Sequence, residues 1–260
     1  VMNRVIPFAK KSGIPFLVIG HVTKDGDLAG PKTLEHMVDC VLSLEGDASS
    51  PFRILRSSKN RFGSVDEIGV FEMKQEGLCE VANPSELFLS ERPLGVSGSV
   101  VTASLEGSRP LLVELQALVT QTSFGQPRRT TIGVDHNRLA LLVAVLEKKV
   151  GLHLAGQDIF LNAAGGVRLN EPAADLAMIM AVASSHLDKA IAPQTVVLGE
   201  VGLAGEVRAI TQPEQRIAEA EKLGFNSCIL PAGNFRRLKK GRIKLEGVAS
   251  VEEAMQLLIR

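Results

Sequence analysis

The sequence predicts an α/β protein in two parts: an incomplete sheet, then a second domain of α+β or α/β type. Three observations predict this. Short apolar runs and alternating stretches, the marks of strands, are interspersed with segments whose apolar residues recur every 3.6 positions. The chain has 260 residues, 45% of them apolar and 22% charged, which is globular composition and enough for one or two domains without staples. Pro93 and Gly95 within Glu91-Arg92-Pro93-Leu94-Gly95 interrupt regular structure and make that stretch the best candidate linker. The expected domains are therefore 1–92 and 93–260.

In the first part, Val5, Ile6 and Ala9 followed by Lys10-Lys11-Ser12-Gly13 read as a helix with a glycine stop. Residues 14–20 (IPFLVIG) form a continuous apolar run, expected to be a strand buried on both faces. A polar loop follows over 21–31, and strands are expected over 37–44 and 52–58. Residues 67–74 alternate and turn at Gly77 into a hairpin partner. Asn83-Pro84-Ser85-Glu86 starts a short helix. In the second part, strands over 98–105 and 111–119 pair around Glu106-Gly107-Ser108. Asp135 opens a helix with Leu139, Leu142, Val143, Leu146 and Val150 on one stripe. Further helices are expected over 172–187, 213–223 and 251–259, with strands over 158–163, 195–199 and 228–230. The opening residues enter a helical pattern in its middle, so the sequence reads as part of a longer chain.

Charge and composition exclude several functions. Twenty-nine basic residues balance 29 acidic ones, so any nucleic-acid contact must come from local patches. The absence of Trp and Tyr, with only ten Phe, argues against aromatic base-stacking platforms of the RRM or OB kind. Cys40, Cys79 and Cys228 make no CxxC pair, so no metal site is readable, and Cys40 in its apolar run is expected to be buried. The sparse cysteines fit a reducing cytoplasm. No apolar run is long enough to span a membrane. The five histidines are scattered without HExxH, and GxSxG is absent, so no nucleophile is nominated.

Five segments carry candidate chemistry. Lys59-Asn60-Arg61-Phe62-Gly63 follows a strand; its cations can grip phosphate oxygens, or the segment is a basic hairpin tip facing water. His21-Val22-Thr23-Lys24 leaves the end of an expected strand, where open parallel sheets place ligands. There His21 or Thr23 can sense a phosphate and Lys24 can touch a nucleic-acid backbone, or the segment is a solvated connection. Gly165-Gly166 suggests a tight turn or close backbone approach. Arg128-Arg129, and the run 236–244 that begins with Arg236-Arg237, can meet DNA phosphates or form solvated faces. No GxxxxGK[ST] occurs, so the chain has no phosphate loop with which to cradle a triphosphate.

The stretches VIGHVTKDGDLAGPKTLEHMVD, RSSKNRFGSVDEIGVFEM, EGSRPLLVELQALV and PRRTTIGVDHNRLALLVAVLEKK resemble the family of the bacterial DNA-repair protein RadA, also called Sms, over essentially the whole chain. The resemblance implies that 1–92 end a RecA-like ATPase core and that 93–260 form a Lon-protease-like (ribosomal S5 domain 2-like) domain. It implies a hexameric, ATP- and Mg-dependent DNA motor acting on single-stranded or branched DNA with the recombinase RecA. A zinc finger and the phosphate loop belong to a part of the family absent from this sequence. Lys59 and Arg61 would then either reach a neighbouring subunit's nucleotide, as an arginine finger does, or grip DNA. His21 would contact nucleotide, and Thr23, Lys24, Arg128, Arg129, Arg236 and Arg237 would contact DNA. At the Lon dyad positions the chain carries Ala173 for the serine and Glu214 for the lysine, so the resemblance implies no peptidase activity. Two alternatives remain, a Lon-type Ser-Lys peptidase and a pure oligomerisation module.

Overall fold

The computed structural model of the chain describes residues 2–20, 33–46, 51–65, 67–123, 125–239 and 241–259. It is an α/β protein built on two main sheets. Helix α1 (Met2–Ser12) stops at Gly13, whose N–H donates to the Ala9 carbonyl. Residues 14–20 do not form the expected buried strand: they have no regular structure, and Leu17 and Ile19 are 89% and 92% exposed. An apolar run becomes a two-faced strand only between neighbours, and no described strand pairs with this one. Only Phe16 finds a ring partner, meeting Phe8 edge-on at 6.1 Å.

After the short helix α2 (Thr33–Met37), four strands form an antiparallel meander in chain order. They are β1 (Cys40–Glu45), β2 (Phe52–Asn60), β3 (Ile68–Lys74) and β4 (Gly77–Glu80). Met37 therefore ends a helix, and the strand starts three residues later than its apolar pattern suggests. Register sorts the side chains by face. Leu44 pairs with Leu55 and Leu55 with Gly69, while Ile54 pairs with the buried Val70 on the opposite face. Leu42, Leu44, Met73 and Leu78 are about half exposed. Cys40, expected to be buried, is exposed because β1 is an edge strand with one face open.

The second sheet has seven strands in the order β13-β12-β9-β5-β6-β8-β7. Its antiparallel centre is β5 (Ser99–Glu106) and β6 (Arg109–Gln121), with β8 (Gln157–Ala163) antiparallel to β6. The parallel pairs are β7 (Arg129–Ile132) on β8, β9 (Thr195–Val197) on β5, β12 (Ser227–Pro231) on β9, and β13 (Lys244–Val248) on β12. A small hairpin joins β10 (Glu200–Val201) to β11 (Val207–Arg208). Helices cover both faces, and β5 is buried on both. Val100 packs in a core with helix α4 (His136–Val145), helix α5 (Asp175–Leu187) and helix α8 (Val251–Leu258). Its neighbour Val101 packs in a second core with helix α6 (Pro213–Lys222). The stripe Leu139, Leu142, Val143 and Leu146 is buried as its spacing predicts, and Asp135 caps α4 by accepting the Arg138 N–H. The last turn of that helix widens to a π-helix over Leu146–Val150. β7, β10, β11, β13 and the four-residue helix α7 (Ala232–Phe235) are elements that the sequence pattern does not announce.

Helix α3 (Pro84–Leu89), capped by Asn83, joins the two sheets. Its Ser85 hydroxyl accepts the Leu112 N–H of β6 and donates to Glu219 of α6. Its Phe88 ring meets Phe52 of β2 at 5.6 Å, edge to face. The same ring lies against Gly165, where a Cβ would come within 2.6 Å of it; Gly165 also has φ +76°, so the paired glycines do serve a close approach. Arg92 follows, buried, donating to the Ser99 hydroxyl at 3.1 Å and the Pro193 carbonyl at 2.7 Å, with Glu114 at 3.8 Å. Arg56 of β2 bridges Glu45 and Glu106, binding the first sheet to the β5–β6 hairpin. Burial pushes the Glu106 carboxyl up, against the opposing pull of Arg56.

Cys228 is buried in the second core, and burial pushes its thiol up to about 12. Native-state alkylation read by mass spectrometry should therefore label Cys40 readily and Cys228 only after unfolding. Equal labelling of both in the native state would contradict this packing.

Candidate nucleic-acid interface

The segment 59–63 is a built turn at the end of β2. Lys59 lies opposite Val41, and its ammonium donates to the carbonyls of Glu35 at 2.6 Å and His36 at 3.2 Å. Those carbonyls sit at the end of α2, where unpaired C=O groups attract a cation. Asn60 closes the turn with its side chain. Its Oδ1 accepts the Phe62 N–H at 3.2 Å and its Nδ2 donates to the Ser64 carbonyl at 3.3 Å. A Cβ at position 63 would lie 2.9 Å from that Nδ2, so a larger residue there would push the Asn60 side chain from its place in the turn. Arg61 binds Asp39 twice, its backbone N–H to the carbonyl at 2.9 Å and its guanidinium to the carboxylate at 3.2 Å. The Arg61 side chain is 47% exposed. Phe62 is 86% exposed.

The five residues thus divide. Lys59 and Asn60 build the turn. Arg61 and Phe62 stand on it, and among the described residues Asp39 is the one carboxylate that the Arg61 guanidinium meets. Such a turn can offer a fork of donors to an anion beside an apolar ring, without reorganising first.

The other sequence candidates lie elsewhere. His21, Thr23 and Lys24 fall outside the described residues. Arg128 is exposed at the start of β7, and its backbone N–H donates to Asp158 at 2.7 Å. That bond holds the Asp158 carboxyl below the usual carboxylate range. Arg129 is only half exposed, because its guanidinium donates to the carbonyls of Gln157 at 2.5 Å and Leu154 at 3.3 Å. Arg236 and Arg237 are exposed just past α7, which packs on β13.

Around Ala173 and Glu214 sequence reasoning missed the strongest feature. Ala173 is buried and Glu214 is exposed in the first turn of α6. Between these segments runs an ion pair of two other residues: Arg216, fully buried, donates both terminal nitrogens to Glu171 at 2.6 Å. The same guanidinium also donates to the carbonyls of Ala103 and Thr211. A signal was present, since Arg216 falls on the helix face of Ala220, four positions on, where an apolar residue is expected. Arg138 and Asp175 make a second such pair, joined also to the Val201 backbone. Desolvation pushes the Asp175 carboxyl up, while the pair raises Arg138 further.

Without GxxxxGK[ST], the residues present form no phosphate loop of their own. No group of three potential metal ligands occurs among the described residues, and no described helix is long and apolar enough to cross a membrane.

Comparison with known proteins adds to this geometry. Residues 130–234, from β7 to α7, match a family described as subunit ChlI of Mg-chelatase. Proteins named DNA repair protein RadA match nearly the whole chain. The Bacillus subtilis protein is 56% identical over 253 residues, 97% of this chain and 55% of that protein. The Halalkalibacterium halodurans protein is 54% identical over 252 residues, 96% of this chain and 55% of its own. The Listeria monocytogenes protein is 52% identical over 249 residues, 95% of this chain and 54% of its own. The chain therefore spans about half the length of the curated relatives it matches.

Glu171→Ala should destabilise the chain by about 3–5 kcal/mol in urea denaturation, since it strands the fully buried Arg216 guanidinium. The pair Glu171→Leu with Arg216→Met should cost far less, because no charge is orphaned. Equal losses would contradict the ion pair as drawn.

Proposed function

Because the chain belongs to the family of the DNA repair protein RadA, we propose that it is the DNA-handling half of a repair ATPase. The observation that carries this reading is the turn at 59–63, which holds Arg61 and Phe62 outward on a scaffold made by Lys59 and Asn60. In the whole protein the role is ATP-dependent, helicase-like branch migration in homologous recombination, performed by a cytoplasmic hexameric ring with RecA on single-stranded or branched DNA. ATP with Mg is cradled by residues outside this sequence, and zinc by a finger that is also outside it. Arg61 then acts on DNA or on the nucleotide of a neighbouring subunit. We divide the chain into the end of a RecA-like core over 1–92 and a Lon-like domain over 93–260.

The second domain is read as architecture plus basic surface, not as a peptidase. An alanine offers no hydroxyl for attack, and a glutamate offers no amine base. Of the basic candidates, Arg128, Arg236 and Arg237 are the exposed ones, whereas Arg129 is held by carbonyls.

Binding of the 260-residue chain to single-stranded DNA should weaken steeply with salt. Charge reversal at Arg236 and Arg237 should flatten that dependence, the slope falling by about one for each phosphate that is no longer neutralised. The chain alone should turn over neither ATP nor peptide. Salt-independent binding, or none, would overturn the reading. Unchanged affinity after reversal at Arg128, Arg236 and Arg237 would favour a pure assembly module.

A further inference from the structure

Phe62 is the most exposed of the described phenylalanines, at 86%, against 56% for Phe8, 48% for Phe16 and 43% for Phe235. A ring at a loose tip can fold back onto its own hairpin. Here the backbone that carries the ring is fixed, because the Asn60 side chain takes the Phe62 N–H and donates to the Ser64 carbonyl, and the ring stands 86% exposed. The two ring pairs among the described residues, Phe8 with Phe16 and Phe52 with Phe88, do not include it. Beside it stands Arg61, whose guanidinium places one nitrogen on Asp39 and whose side chain is 47% exposed. An exposed aromatic face next to a half-exposed cation is a unit by which single strands are held: the ring stacks on a base and the cation meets the adjoining phosphate. A protein-docking surface would instead gather several apolar side chains around the ring, and the adjoining positions here are Arg61, Gly63 and Ser64.

We infer that Phe62 is a base-stacking contact for single-stranded nucleic acid, with Arg61 taking the neighbouring phosphate. This rests on the DNA-binding reading above and assigns the ring its part in it. One stacking ring is compatible with the scarcity of aromatics, since it forms a single point of contact and not a platform.

The chain has no Trp or Tyr, so Phe62→Trp creates a single emitter at the site. Titrating this variant with oligothymidylate should quench its emission to saturation. Phe62→Ala should lower affinity roughly tenfold, the range of one base–aromatic stack, with the salt slope unchanged. Arg61→Ala should instead reduce the salt slope by about one. Phe62 is almost fully exposed, so Phe62→Ala should unfold at the wild-type urea midpoint. Wild-type binding without quenching of Phe62→Trp, or without loss in Phe62→Ala, would overturn the stacking role and leave the DNA reading standing. A change in oligomeric state of Phe62→Ala at unchanged affinity would make the ring a protein contact and overturn it too. Failure of the wild-type chain to bind oligothymidylate at low salt would overturn both.

Discussion

The fold depends on one buried cation at the crossing between its sheets. Arg92 leaves the end of α3 and enters the second sheet, where Ser99, the Pro193 carbonyl and Glu114 surround it. Glu114 is 2% exposed, so without Arg92 its charge would lie in the core with only the Ser99 hydroxyl and the Gln116 amide for company. Removing one partner of such a pair costs far more than never having built it. The linker is therefore pinned where its Pro and Gly suggested slack. With Arg92 fixed, α3 is fixed, and Phe88 can lie between Phe52 and Gly165. The first sheet and its outward turn are thereby carried on the second.

A theme recurs at the other cations. Arg129 clasps carbonyls, Arg138 closes on the buried Asp175, the buried Arg216 closes on Glu171, and Lys59 ends a helix. Lys59 and Arg129 read in the sequence as charges available to a ligand, and all four are largely committed to the fold. Of the basic candidates among the described residues, Arg61, Arg128, Arg236 and Arg237 are the ones left exposed. An overall charge of zero is consistent with a surface that engages anions at chosen points.

Much of this is legible in the residues. The caps at Asn83 and Asp135, the α4 stripe and the hairpin at Gly77 follow from local chemistry that operates within a few residues. The run 14–20 and Cys40 mislead for one reason: apolar character states what burial would gain, not which strand will supply it. β10 and β11, two residues each in a hairpin of their own, and β13, five residues at the edge of the large sheet, are too short to carry clean alternation. At the site, the spacing within 59–63 announces a phosphate-sized cluster. Which of its cations faces outward is settled by Glu35, His36 and Asp39, which come from segments the sequence could not bring to the turn.

The most direct measurement is a map of where a photoreactive single strand attaches. An iodouracil-substituted oligonucleotide, irradiated on the 260-residue chain and followed by peptide mass spectrometry, should mark the peptide that carries residues 59–63. Attachment restricted to residues beyond 93 would contradict the account.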